Sequence, residues 1–277
     1  MMVTKVTATL NRNYMLDLAS KGMRIDGRGL KDFRKVSIEF GVAGRADGSA
    51  GVKIGNTYVM VGVKAEIGKP FPDTPNEGVL MVNAEFVPLA SPSFEPGPPD
   101  ENAIELARVV DRGIRRSEAI DLKELCIIPG EKVWILWVDI YVLDHSGNLM
   151  DAASLAALAA LMDTKIPEVK IEGDQVIKTE NRHSLNLRDY PLSVTIGKLG
   201  SALLVDPSLE EEEVLDSKLT IYVTKDDMIC AMQKAFPGTF TPEEVLEAVD
   251  MAIENSRELR KLLFTTYESY KKSKEDA

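Results

Sequence analysis

The sequence predicts an α+β fold built as two lobes, and three observations carry that prediction. Residues 36–89 hold several short segments in which apolar and polar residues alternate, the period of half-buried strands. Residues 151–162 are almost entirely Ala and Leu, the composition of a helix buried on most sides. A second group of strand-like segments begins near residue 190 and ends in one long helical stretch. A chain of 277 residues can bury one large core or two modest ones.

In chain order, residues 10–21 have helical spacing, with Leu10, Tyr14, Leu18 and Lys21 on one side, and the helix stops at Gly22. Val36, Ile38, Phe40 and Val42 alternate with polar residues as a strand does. Residues 51–54 and 57–64 flank Gly55-Asn56 and read as a hairpin, and 79–89 form a further strand. The loops 69–76 and 91–100 carry three and four prolines, a density that excludes helix and central strand. A helix over roughly 101–120 and an apolar strand over 133–143 come next. Asp151 is positioned to cap the Ala/Leu helix. Residues 165–178 read as short strands around Gly173-Asp174, and 179–189 as a linker. Segments 192–196, 202–205 and 219–223 are strands of the second lobe. Thr241-Pro242-Glu243-Glu244 starts the last helix with a cap, Pro at the first position and acids in the first turn. That helix is expected to end near Leu263, with a charged, frayed tail from Tyr267.

The formal net charge of -11 argues against broad affinity for nucleic acid and leaves room for a local basic site. Cys126 and Cys230 lie far apart without metal spacing, as expected in a reducing cytoplasm. Asn11, Arg12 and Asp17 interrupt the N-terminal apolar residues, so no signal peptide is expected there. No run reaches the length of a membrane span. Walker loop, dinucleotide fingerprint and zinc motif are all missing, so neither cofactor nor metal is expected. His145 and His183 have no Ser or Cys partner at a recognisable spacing, which argues against a nucleophilic triad.

Against this acidic background, residues 108–116 read RVVDRGIRR. At about 100° per residue, Arg108, Arg112, Arg115 and Arg116 fall within roughly a third of the helix circumference. Ala103, Ile104, Ala107, Val110 and Ile114 fall opposite and are expected to face the core. Asp111 can pair with Arg115, and Glu105 with Arg108, which leaves Arg112 and Arg116 without a local partner. The bland reading is an exposed face whose arginines meet carboxylates elsewhere in the chain or on a neighbour. The sharper one is a stripe that tracks the phosphates of a single-stranded nucleic acid, where arginine offers bidentate contacts.

Arg24-Ile25-Asp26-Gly27-Arg28 resembles the R-x-D-G-R motif of the ribonuclease PH family. Gly48-Ser49-Ala50 followed by Gly55-Asn56-Thr57-Tyr58-Val59 resembles its first hairpin. Phe94-Glu95-Pro96-Gly97-Pro98-Pro99-Asp100-Glu101, running into Val110-Asp111-Arg112-Gly113-Ile114-Arg115, is narrower and resembles the inactive ring subunits of the archaeal exosome and their eukaryotic counterparts. The resemblance covers roughly residues 15–264. It implies a ribonuclease PH-like fold of two lobes with S5-like topology, in a six-membered ring of three active and three inactive subunits capped by RNA-binding subunits. Single-stranded RNA then threads in 3′ end first, and phosphate releases nucleoside diphosphates. On this reading residues 1–30 are an N-terminal helix and the Arg-x-Asp-Gly-Arg motif, 31–180 the first lobe, 190–264 the second and 265–277 the charged tail. The Arg-x-Asp-Gly-Arg turn itself reads as structural or interface-forming, since it can pair its own charges.

Active relatives place a glycine-serine/threonine-arginine loop before the Ala/Leu helix, where amides, arginine and helix N-terminus hold phosphate. The corresponding stretch, Asp144-His145-Ser146-Gly147-Asn148-Leu149-Met150-Asp151, has no arginine or lysine. Ser146, Gly147 and Asn148 thus form a degenerate loop, and Asp151 would put a carboxylate where phosphate should sit. Counting from Leu203-Leu204-Val205-Asp206, the first acid of active relatives falls near Glu213 and the general acid falls near Lys218, with Asp216 close by. Residues 210–213, four glutamates, read as a solvated loop or a surface that meets basic partners. The expectation is a subunit with no catalytic residues of its own. It pairs with an active paralogue in the cytoplasm and contacts RNA through Arg108, Arg112 and Arg116. Two alternatives stand. One is an active exoribonuclease using Asp216 or Glu213. The other is a purely structural ring member whose arginines never touch RNA.

Overall fold

A computed structural model describes residues 2–172 and 175–275. Helix α1, Met2–Ser20, opens the chain but packs on the second lobe, where Met15 joins Leu199, Leu204 and Val214 in a small core of its own. Its buried side carries Met15 and Ala19, whereas Tyr14 is 56% exposed. Arg12 ties the helix to the second lobe, donating to the carbonyl of Val214 and, at 2.8 Å, to the carboxylate of Asp216.

The first sheet takes β1 (Val36–Phe40), β2 (Gly48–Ile54), β3 (Thr57–Gly68), β4 (Val79–Phe86), β5 (Cys126–Ile128) and β6 (Lys132–Asp144), in the order β1-β2-β3-β6-β4 with β5 against β6. Gly55-Asn56 closes the β2–β3 hairpin, with Ile54 opposite Thr57. Strand β4 runs parallel to β6, which requires a crossover, and helix α2 (Glu101–Arg116) supplies it.

Helix α3, Leu149–Asp163, is buried at every position from Asp151 to Met162. It packs against β2 and β3 on one side and against the strand Leu192–Leu199 of the second lobe on the other, so one continuous core runs through both lobes. Strands β7 (Lys165–Glu172) and β8 (Gln175–Ser184) pair as a hairpin. Most of the expected linker is therefore strand, and the expected turn at Gly173-Asp174 lies outside the described residues.

The second sheet is antiparallel throughout, with β9 (Leu192–Leu199), β10 (Ala202–Val205), β11 (Ser217–Val223) and β12 (Ile229–Ala235) in the order β10-β9-β11-β12. The edge strand β12 had no clear alternation in sequence. Between β10 and β11 lies a single helical turn, α4 (Leu209–Glu212), closed by a capping box of Ser208 and Glu211.

Helix α5, Pro242–Glu275, does not end near Leu263. Tyr267 and Tyr270 lie 5.1 and 5.3 Å from the Phe40 ring, and Tyr267 donates to the carbonyl of Met162 at 2.6 Å. These contacts hold the helix against the first lobe through the stretch expected to fray. Both cysteines are free. Among the described residues no helix is long and apolar enough to cross a membrane, and no cluster of metal-ligating side chains occurs.

Candidate functional site

Helix α2 starts at Asp100, whose carboxylate accepts from the Ala103 N–H at 2.8 Å. Ala103, Leu106, Ala107, Val109, Val110, Gly113 and Ile114 are buried. Gly113 has a steric reason to be glycine, since a Cβ there would collide with the ring of Tyr222 on β11. Ile104, expected in the core, is 54% exposed because it shares the outer row with Arg108 and Arg112. All four arginines are exposed. Arg115 pairs with Asp111 at 2.6 Å and also donates to the Leu80 carbonyl. Arg112 donates to Gln233 on β12 at 3.0 Å, and Gln233 donates in turn to Glu105 at 2.9 Å. Glu105 is thus engaged by Gln233 rather than by Arg108. Among the described residues Arg108 and Arg116 have no side-chain partner.

The loop before α3 is occupied from within. Arg34, ahead of β1, donates to the carbonyls of Ser146 at 2.6 Å and Gly147 at 3.2 Å. The same guanidinium grips Asp206 at 2.7 and 2.8 Å in a bidentate pair. Asn148 donates to Asp206 at 2.7 Å and to Asp151 at 2.8 Å. Gly147 adopts φ +89°, and a Cβ there would strike the backbone of Ser208 and Leu209. Leu209 N–H meets the Ser146 carbonyl at 3.1 Å, so the loop is fastened to the second lobe.

Two expectations change here. Asn148, in a left-handed conformation, takes the N-cap position instead of Asp151. Asp151 turns inward, accepting from Ser193 at 2.7 Å and from the Thr195 N–H and hydroxyl at 2.8 and 2.9 Å. Burial raises its carboxyl to about 6, and these donors offset only part of that rise. Asp206 reaches the loop as well, sharing the Asn148 amide with Asp151.

The Arg-x-Asp-Gly-Arg turn joins this network. Arg28 pairs with Asp26 at 2.7 Å and with Asp206 at 3.0 Å. Arg24 is buried against Glu211 and donates to the carbonyls of Val205 and Asp206 at 2.6 and 2.9 Å. Burial pushes the Glu211 carboxyl up, but the Arg24 guanidinium more than offsets this and holds it below the usual range. Residues 210–213 are therefore no solvated loop, since one of the four glutamates is a buried counter-ion.

Lys218 lines a cleft between the lobes with His145, Phe94, Glu212 and Phe236. Its ammonium pairs with Glu212 at 2.8 Å. Asp216 spends one oxygen on Arg12 and the other on the Gly200 N–H at 2.7 Å, and Glu213 is exposed. The arrangement brings Lys218, paired with Glu212, to the cleft, and neither Asp216 nor Glu213 lines it.

Comparison with known proteins agrees with this architecture. Residues 32–167 match the 3′ exoribonuclease family, domain 1, and residues 189–255 match domain 2 of that family. The chain belongs to the 3′ exoribonuclease family. Within it, exosome complex component Rrp42 of Methanopyrus kandleri is 53% identical over 92% of this chain and 96% of its own length. The Pyrococcus furiosus Rrp42 is 48% identical over 98% and 99%. A chain of the Archaeoglobus fulgidus exosome with RNA bound to the active site superposes with a TM-score of 0.85 at 51% identity, covering 92% of this chain and 98% of that one. An archaeal exosome core chain gives 0.82 at 47% identity, covering 93% and 98%.

For this member of the 3′ exoribonuclease family, the sequence brought Ser146, Gly147, Asn148 and Lys218 into view, and the fold sets both stretches along the seam between the lobes. It did not reveal Arg34, which lies 172 residues from Asp206. No local motif signals a pair so far apart.

Proposed function

We propose that this ring subunit of the exosome is non-catalytic. It pairs with an active ribonuclease PH-type paralogue in a trimer of heterodimers, helps to order that paralogue's active site, and holds single-stranded RNA during 3′-to-5′ phosphorolysis in the cytoplasm. RNA-binding cap subunits complete the assembly. The observation that carries this reading is the commitment of Arg34: among the described residues it is the guanidinium that donates to the loop before α3, and it serves Asp206 and two carbonyls instead of a phosphate. Lys218, paired with Glu212 at 2.8 Å, stands where active relatives are expected to carry the carboxylic acid that protonates the leaving oxygen. Arg108 and Arg116, with no protein partner among the described residues, keep their donors for phosphates, with Arg112 between them. Contacts of that kind give weak sequence preference.

The test is phosphorolysis. The purified chain, alone and then with its active paralogue, receives a short single-stranded RNA and inorganic phosphate, and nucleoside diphosphate release is followed. Silence alone and robust release with the paralogue is expected. Release by the chain alone, abolished by Asp216→Asn, would overturn the reading.

A further inference from the structure

The cleft that holds His145 and Lys218 has a volume of about 320 Å3, at the small end of the range for small-molecule pockets. Its first-lobe wall is aromatic. The Phe86 and Phe94 ring centroids lie 4.8 Å apart, and Phe94 stacks on His145 at 5.4 Å with 15° between the planes. From the second lobe comes Phe236, 41% exposed, with Lys218 Nζ 5.1 Å from its ring centroid.

The polar groups suit a neutral ring rather than an anion. Glu212 cancels the charge of Lys218, and Glu105, from α2, adds a further carboxylate. Burial holds His145 below its ordinary value and keeps it neutral at pH 7. The Gly147 N–H donates to His145 Nδ1 at 3.4 Å, which leaves the ring proton on Nε2. Glu105 and Glu212 each spend one oxygen, on Gln233 and Lys218, and keep the other among the described residues. Asn102 spends its Nδ2 on Asp100 and keeps its Oδ1. The cleft thus offers several acceptors, one ring N–H donor beside the Glu212-paired ammonium of Lys218, and aromatic surface from both lobes. A flat heterocycle with an amine donor beside a ring-nitrogen acceptor matches that set, and adenine has such an edge.

We propose that this cleft binds an amino-substituted nucleobase of the adenine type, carried by a free nucleoside or by an RNA strand. The base stacks on the aromatic surface, its amine donates to a carboxylate or amide oxygen, and its ring nitrogen accepts from His145 Nε2–H. None of these residues belongs to the arginine row, so the proposal stands or falls apart from the role given to Arg108, Arg112 and Arg116.

Calorimetric titration of the full chain with adenosine, purine riboside and oligoadenylate tests it. Saturable adenosine binding is expected, at least about tenfold weaker for purine riboside, which lacks the amine, and not displaced by inorganic phosphate. Phe236→Ala, at an exposed side chain whose loss leaves the core untouched, weakens binding by about tenfold, and Phe94→Leu acts likewise. Equal adenosine and oligoadenylate affinity marks a nucleoside site. Oligoadenylate binding that exceeds adenosine's, and that Phe236→Ala weakens, marks an RNA strand as the source. The proposal is overturned if adenosine and purine riboside bind alike, if phosphate displaces adenosine, or if neither adenosine nor oligoadenylate shows binding sensitive to Phe236→Ala.

Discussion

Six arginines divide into two groups of three, and the fold treats the two groups in opposite ways. Arg24, Arg28 and Arg34 have side chains only 1%, 12% and 10% exposed and converge on Asp206 and Glu211. Arg108, Arg112 and Arg116 stand on the outer row of α2, and two of them meet no protein group among the described residues. The first group closes the site where an anion would enter, while the second keeps its donors outward. Whether an arginine can serve a ligand depends less on its motif than on which carboxylate the fold brings to it.

The sharpest way to break that comparison is to remove a closed arginine. Arg34→Met leaves Asp206 buried and short of its main cation, a change that costs about 3–5 kcal/mol. A fall of roughly 10 °C in Tm is expected by thermal denaturation, with a smaller fall for Arg34→Lys. A loss below about 1 kcal/mol would mean that the network is not what shuts the loop.

Asp151 sharpens the contrast from the acid side, because it has donors but no cation. Its folded value of about 6 lies above the ordinary 3.8, so its contribution is complete at low pH and is lost as pH rises through that window. Glu211, held low by Arg24, works the other way, and its contribution is lost as the pH falls. Asp151→Asn therefore makes stability rise more steeply with pH between these values, by about 3 kcal/mol across the window, as followed by urea unfolding at stepped pH. An unchanged slope contradicts the assignment.

Gly113→Ala tests the seat of the exposed row. Alanine favours a helix by about 1 kcal/mol, yet the collision with Tyr222 is expected to cost a net 1–3 kcal/mol. The smallest effect is reserved for Arg115→Ala, which removes a surface pair with Asp111 and a hydrogen bond to the Leu80 carbonyl, together worth about 1 kcal/mol. It should leave RNA binding by the assembled complex unchanged.

Local patterns were legible wherever one element decided its own state. The Gly55-Asn56 hairpin, the proline-dense loops, the amphipathic α2 and the Ala/Leu helix α3 all follow from spacing alone. Positions set by distant partners were not. The last turns of α5 read as a charged tail, yet Tyr267 and Tyr270 find Phe40 at the other end of the chain. Ile104 fits an apolar stripe by type but lies just outside it by angle. The four glutamates of residues 210–213 look solvated until Arg24, 187 residues away, claims Glu211. In the candidate site the missing cation at the loop was visible in sequence, whereas Arg34 filling that place from outside the motif was not.

The measurement closest to the central claim is phosphorolysis by the assembled ring carrying Arg108→Ala, Arg112→Ala and Arg116→Ala together. Single-stranded RNA loses about 0.7 of a unit of salt slope for each phosphate contact removed, so the slope of RNA binding should flatten by about 2. The KM for RNA should rise while the KM for phosphate holds. Unchanged RNA affinity and salt dependence in that ring would contradict the account, leaving the exposed row as a surface with no hold on RNA.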